Sequence, residues 1–150
     1  MDVVVIYSSH RNNTEKVAQA IADQLKCSAV KLTENFDART FFLASYTLIF
    51  LGTGIRGGEP YVELQNFIKT AKFKSGVRFV LFMTWAGGGA SNRLAYEVVK
   101  RQLEAIGQRL DDDYFICLGQ TFGFTHRGRP NVGDLVQAKI WSQQKLQSVE

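Results

Sequence analysis

Four short apolar runs decide most of what this chain can fold into: Val3 to Tyr7, Tyr46 to Leu51, Val77 to Met83 and Tyr114 to Leu118. Each is rich in β-branched or aromatic residues and nearly continuous. A strand with one wet face would instead alternate apolar with polar. Such runs predict strands covered on both faces, as in a parallel sheet. Ala29-Val30-Lys31-Leu32 adds a weaker fifth candidate. Between the runs the apolar spacing changes to three and four, the period of a helix with one buried face. Val17, Ala18, Ile21, Ala22 and Leu25 form such a stripe within Thr14 to Leu25, and Leu64, Phe67, Ile68 and Ala71 another within Glu63 to Ala71. A third lies within Asn92 to Ile106, where Gly107 is a natural stop, and a fourth within Asp134 to Leu146. Phe36 to Ser45 reads as a loop with room for one helical turn.

Strands alternating with helices imply an α/β, three-layer, doubly wound parallel sheet, and five strands favour the order 2-1-3-4-5. Ligands of such sheets sit beyond the carboxyl ends of the strands, at the switch between the first and third. With 150 residues, 45% of them hydrophobic, residues 1–150 are expected to form one domain with its own core. Cys27 and Cys117 are too few for a disulfide framework, and with His10 and His126 they offer no metal-ligand spacing. No run approaches the roughly 20 apolar residues of a membrane span. Met1-Asp2-Val3 lacks the basic start of a secretory leader, so the expectation is a soluble, cytoplasmic protein. The net charge of +4 is spread over scattered Lys and Arg. It reads as a solvated basic surface, not as a nucleic-acid interface.

The loops expected at the strand ends carry the chemistry. Ser8-Ser9-His10-Arg11-Asn12-Asn13-Thr14 leads from the first strand into a helix, whose amino terminus presents free N–H groups to an anion. Simple capping needs one hydroxyl or amide residue, and this loop has five, so Ser9, Asn13 and Thr14 point to phosphate. It is neither a P-loop nor a dinucleotide fingerprint, since no glycine precedes Gly52. After the third strand, Gly52-Thr53-Gly54-Ile55-Arg56-Gly57-Gly58-Glu59-Pro60 allows close approach of backbone to a ligand; read alone, it is equally a flexible turn. After the fourth, Thr84-Trp85-Ala86-Gly87-Gly88-Gly89 offers glycines and an indole that stacks on a ligand or packs in the core. One phosphate site beside a planar pocket suits a mononucleotide.

Over essentially the whole chain the sequence resembles the flavodoxin family. Val5 to Ala18 looks like that family's strand, phosphate loop and helix start, Phe50 to Pro60 like its first flavin loop, and Thr84 to Gly89 like its second. No insertion divides the fifth strand, as in the short-chain members. The resemblance implies a flavodoxin-like fold and FMN as cofactor. Its phosphate would lie at Ser9, His10, Arg11, Asn12, Asn13 and Thr14. The ring would lie between Thr53, Gly54, Ile55, Arg56, Gly57 and Gly58 on one side and Thr84, Trp85, Ala86, Gly87, Gly88 and Gly89 on the other. It also implies single-electron shuttling between redox enzymes, with a backbone carbonyl of the first flavin loop turning toward the reduced ring. Gly57 and Gly58 make that turn cheap.

Three departures bear on mechanism. Asn12 stands where the family usually has a small residue, most often glycine, but its side chain supports a left-handed backbone. His10 and Arg11 bring basic groups into a loop that is typically uncharged, and the chain is basic where flavodoxins are usually acidic. At about 6 Å and an effective dielectric near 20, one arginine favours the reduced anionic flavin by roughly 3 kcal/mol. That raises the potential by on the order of 100 mV if the side chain faces the ring, and by little if it faces solvent. The expected partners are redox proteins with acidic docking surfaces, and a monomer is expected. Two other functions remain open at this level: a flavodoxin-fold NAD(P)H:quinone-type oxidoreductase, and a flavin-free interaction module. Gly119 to Asn131, with Phe122, Phe124, His126, Arg127 and Arg129, reads as an ordinary surface connection, as a cover for the flavin edge or as a docking surface.

Overall fold

The computed structural model describes residues 2–38, 45–121 and 126–148. In chain order the elements are β1 (Val3–Tyr7), α1 (Asn13–Leu25), β2 (Ser28–Lys31), β3 (Leu48–Arg56), β4 (Glu59–Pro60), α2 (Val62–Thr70), β5 (Arg78–Trp85), α3 (Ser91–Ala105), β6 (Arg109–Leu118) and α4 (Val132–Gln147). The long strands lie parallel in the order β2-β1-β3-β5-β6, and β4 pairs antiparallel with the end of β3. Without that two-residue strand, this is the predicted 2-1-3-4-5 sheet, and the fold is flavodoxin-like.

Successive strand residues point to opposite faces, so a strand buried on both sides must be apolar at every position. Val4, Ile6, Ile49, Leu51, Phe79 and Leu81 pack with α2 and α3, through Leu64, Ile68, Tyr96 and Val99. Their neighbours Val5, Tyr7, Phe50, Val80 and Phe82 pack on the other side with Val17, Ala18 and Ile21 of α1 and Ala138 of α4. Among the described residues no helix is long and apolar enough to cross a membrane.

Two strands run further than the hydrophobic pattern shows. β3 continues through Gly52 and Thr53 to Arg56, because Gly52, Thr53 and Gly54 keep pairing with Phe82, Met83 and Thr84 of β5. The chain then reverses at Gly57 and Gly58, whose φ values of 59° and 78° are those of a two-residue hairpin turn. β6 begins at Arg109, five residues ahead of the apolar run, because Asp111-Asp112-Asp113 interrupts the pattern. There the register slips: Phe79 faces Leu110 while Leu81 faces Tyr114. Asp111 is held by Arg78 through Nε at 3.0 Å and Nη2 at 2.6 Å, and by Lys145 Nζ at 3.0 Å; Lys145 also pairs with Asp113. Of the ambiguous segment Phe36 to Ser45, residues 39–44 lie outside the described ones.

Candidate functional site

Between Ser8 and α1 the chain turns through Asn12, whose φ of 65° is left-handed and whose side chain makes no capping bond. Ser9, almost buried, serves the helix start instead, its Oγ accepting from Glu15 N–H at 3.3 Å. Thr14 is buried and its hydroxyl meets that of Thr84 at 2.8 Å, tying the phosphate-type loop to the end of β5. Asn13 reaches across the sheet edge, its Nδ2 donating to the Gln120 carbonyl at 2.8 Å. A Cβ on Gly119 would lie 2.6 Å from that amide nitrogen, so a larger residue there would displace the Asn13 side chain. The first N–H groups of α1 therefore stand beside a wall made by the segment after β6.

Facing them is the β3–β4 hairpin. Thr53 is buried, and its hydroxyl donates to the Gly54 carbonyl at 2.7 Å and accepts Tyr61 N–H at 2.9 Å. This bond brings the Tyr61 ring over Gly54, where a Cβ would collide with the phenol at 2.3 Å. His10 lies flat on Tyr61, with centroids 3.8 Å apart and planes 4° apart, and its Nε2 is 2.7 Å from Glu63 Oε1. Burial pushes the Glu63 carboxyl up, but its own backbone N–H and His10 outweigh burial and hold it below the ordinary carboxylate range. Burial raises the Tyr61 phenol, against the pull of Arg11 and Arg56. On the third side Gly87, Gly88 and Gly89 all adopt left-handed φ, and His126 Nε2 donates to the Ala86 carbonyl at 2.5 Å.

These loops enclose a cavity of about 280 Å³ at the carboxyl ends of β1, β3 and β5. Of the predicted site residues, His10, Arg11, Asn13, Ile55, Arg56, Thr84, Trp85 and Ala86 line it. Ser9, Asn12 and Thr14 shape the loop behind it, Thr53 and Gly54 seat Tyr61, and the paired glycines 57–58 and the run 87–89 turn the chain at its rim. Gly119, Gln120 and Thr121, from the segment read as a surface connection or a cover, also line it, as does Tyr61, which carries no sequence signal of a site. Phe122 and Phe124 lie outside the described residues. The described wall carries two guanidiniums and an imidazole and no carboxylate, so it favours an anion. Helix amino terminus, Asn13 amide and cations suit a phosphate ester; half-buried Trp85 and Ile55 suit a flat apolar ring. A flavin mononucleotide has both parts, and the residues present fit it.

Comparison with known proteins agrees with this architecture. A 25%-identical relative is an uncharacterized protein of Methanocaldococcus jannaschii; the match covers 99% of this chain and all of that one. The fold is shared with oxidised flavodoxin 1 from Bacillus cereus, with a TM-score of 0.75, 15% identity and 98% of each chain covered. It is shared too with a flavodoxin, WrbA-like protein from Agrobacterium tumefaciens, with a TM-score of 0.71, 17% identity, and 95% of this chain and 93% of that one covered. The flavodoxin domain model itself matches residues 4–113, which include β1, the phosphate-type loop, the hairpin and the Trp85 loop, and on that match the chain belongs to the flavodoxin domain family.

Proposed function

We propose that this chain binds FMN in the cavity between the β1–α1 loop, the β3–β4 hairpin and the Trp85 loop, and carries electrons between redox proteins. The observation that carries the proposal is the cavity wall: two guanidiniums and no carboxylate beside the amino terminus of α1. Bound there, the flavin supplies one- and two-electron chemistry, which no side chain offers. The first N–H groups of α1, Asn13 and Arg11 hold the phosphate. Ile55, Arg56 and Trp85 bound the ring and exclude water from its faces. The hairpin turn at Gly57 and Gly58 lets a peptide at the rim reorient at small cost, because both residues already occupy left-handed conformations open to glycine. The basic rim favours partner proteins with acidic docking surfaces, and a cytoplasmic monomer completes the proposal.

The test is a titration of the flavin-stripped full chain with FMN and with riboflavin, followed by quenching of flavin fluorescence. FMN quenched at stoichiometric protein, with riboflavin bound more weakly, is the expected result. FMN that stays fluorescent overturns the proposal. If the loaded protein oxidises NAD(P)H with no protein partner present, the electron-carrier role gives way to an oxidoreductase.

A further inference from the structure

The loop between Ser9 and Asn13 is fixed at both ends, by the Ser9–Glu15 bond and the Asn13–Gln120 bond. Between them His10, Arg11 and Asn12 are exposed. Exposed loop side chains ordinarily lose freedom when a ligand arrives, and that loss weakens binding. His10 is gripped in advance from outside the loop. Its ring face rests on Tyr61 and its ring edge meets Glu63, whose side chain is only 12% exposed. Tyr61 is itself rigid, with its N–H on Thr53 and its ring seated over Gly54. Glu63 belongs to the first turn of α2 and is not part of the cavity wall. Its carboxylate lies near an anion site, which costs affinity by repulsion, and yet it stands there ionised.

We propose that Glu63 is a positioning residue for the anion end of the cavity, acting through His10. The clasp Glu63–His10–Tyr61 joins the loop that receives the phosphate to the hairpin that bounds the ring. The anion then meets a loop already in place. This rests on the FMN proposal for its natural ligand, although the clasp is a property of the chain alone.

Two opposite signs separate positioning from charge. Glu63→Gln keeps an acceptor for His10 Nε2–H and removes the charge; Glu63→Ala removes both. If Glu63 positions, Glu63→Ala binds FMN about tenfold more weakly, the size expected for ordering one or two side chains on binding. Riboflavin, which lacks the phosphate, changes by less than about twofold, and Glu63→Gln restores FMN binding at least to the starting level. Glu63→Ala binding FMN as well as or better than the unaltered chain overturns the proposal, as does an equal loss for FMN and riboflavin. A second measurement needs no flavin. The chain has two histidines, His10 and His126, so their ring-proton NMR signals are simple to follow while inorganic phosphate is added. The His10 signal is expected to move, at higher phosphate concentration in Glu63→Ala. A His10 signal that phosphate does not move overturns the clasp. Phosphate that moves His10 in a chain that binds no FMN leaves the clasp standing and removes the FMN proposal. Normal FMN binding unaffected by Glu63→Ala does the reverse.

Discussion

At the amino-terminal edge of the sheet, Arg78 and Lys145 close on Asp111, and Lys145 also meets Asp113. At the carboxyl-terminal edge, Arg11 and Arg56 line a cavity whose described wall has no carboxylate. Both edges gather cations, but the carboxylates at the second, Glu63 on His10 and Asp134 on Arg129, stand outside the cavity wall. At the first the ion pairs hold a strand: the Asp111 network secures the slipped register at the start of β6 and anchors the end of α4 through the Lys145 carbonyl and Ser148. Around the cavity the backbone is held by other means: the Thr53–Tyr61 and Asn13–Gln120 bonds and a hydroxyl pair. Its positive charge lines the cavity. Charge braces a strand in the Asp111 network, and on the cavity wall it favours the proposed anion.

The largest effect is expected at the amino-terminal edge. Asp111→Asn leaves Arg78 and Lys145 with weakened partners and costs about 2 kcal/mol, the scale of hydrogen bonds to charged groups. Denaturant unfolding measures it. Burial alone would raise the Asp111 carboxyl, but its hydrogen bonds and attraction to Arg78 and Lys145 bring it below the ordinary range. A carboxylate held lower in the folded chain than in the unfolded one stabilises above the unfolded value of about 4, and that stability is lost as pH falls through the folded value. The gap between the unaltered chain and Asp111→Asn should therefore be full at neutral pH and narrow below about pH 4. A gap independent of pH would mean that Asp111 acts by packing.

The complementary change is Arg11→Ala with Arg56→Ala. Both side chains are exposed, so each adds about 1 kcal/mol to holding a phosphate dianion, and together their loss weakens FMN about 30-fold. Folding stability should move by less than about 0.5 kcal/mol, since neither arginine is in the core. The arginine exposure also lowers the expected influence on potential. Arg56→Ala should make reduction less favourable by a few tens of millivolts, well under the on-the-order-of-100 mV of a buried cation. A stability loss as large as that of Asp111→Asn would erase the distinction between the two edges.

β1, β3 and β5 were legible because burial on both faces leaves no room for polar residues, and the stripes of α1 and α2 because one face is dry. In the stripe of α3, Ala95, Val99 and Leu103 are buried but the equally apolar Leu94 and Ile106 are exposed, and edge strand β6 is mostly half-buried. The start of β6 was hidden by its three aspartates, whose partners Arg78 and Lys145 are 33 and 34 residues away from Asp111 in the chain. Gly57-Gly58 reads as part of a flexible ligand loop, although a glycine pair is equally the signal of a tight hairpin. Tyr61 gives no sign of its place, because a tyrosine between Pro60 and a helix looks like ordinary flanking sequence. Its position depends on Thr53 and on the missing Cβ of Gly54. Gln120 enters the site through a bond to Asn13 across 107 residues, a contact with no local signature.

The smallest effect sharpens the comparison within a single helix. Asn12 before α1 and Lys26 after it both adopt left-handed φ, 65° and 54°. At the carboxyl end this conformation ends the helix, with Lys26 N–H on the Ala22 carbonyl, and glycine is the residue that adopts it without strain. Lys26→Gly is therefore expected to stabilise by about 0.5–1 kcal/mol. Asparagine tolerates the left-handed region far better than lysine. Asn12→Gly relieves little strain and adds freedom to the unfolded chain, so its net effect should be within about 0.5 kcal/mol of zero. FMN affinity should change by less than about twofold, because the N–H groups at the start of α1 keep their places. Asn12→Ala, which has neither remedy, should cost about 1 kcal/mol. Urea midpoints of the three variants decide it. If Asn12→Gly stabilises as much as Lys26→Gly, the phosphate-type loop carries strain that its asparagine does not relieve. The binding edge would then be held at the expense of stability, and the two edges would differ in strain as well as in charge.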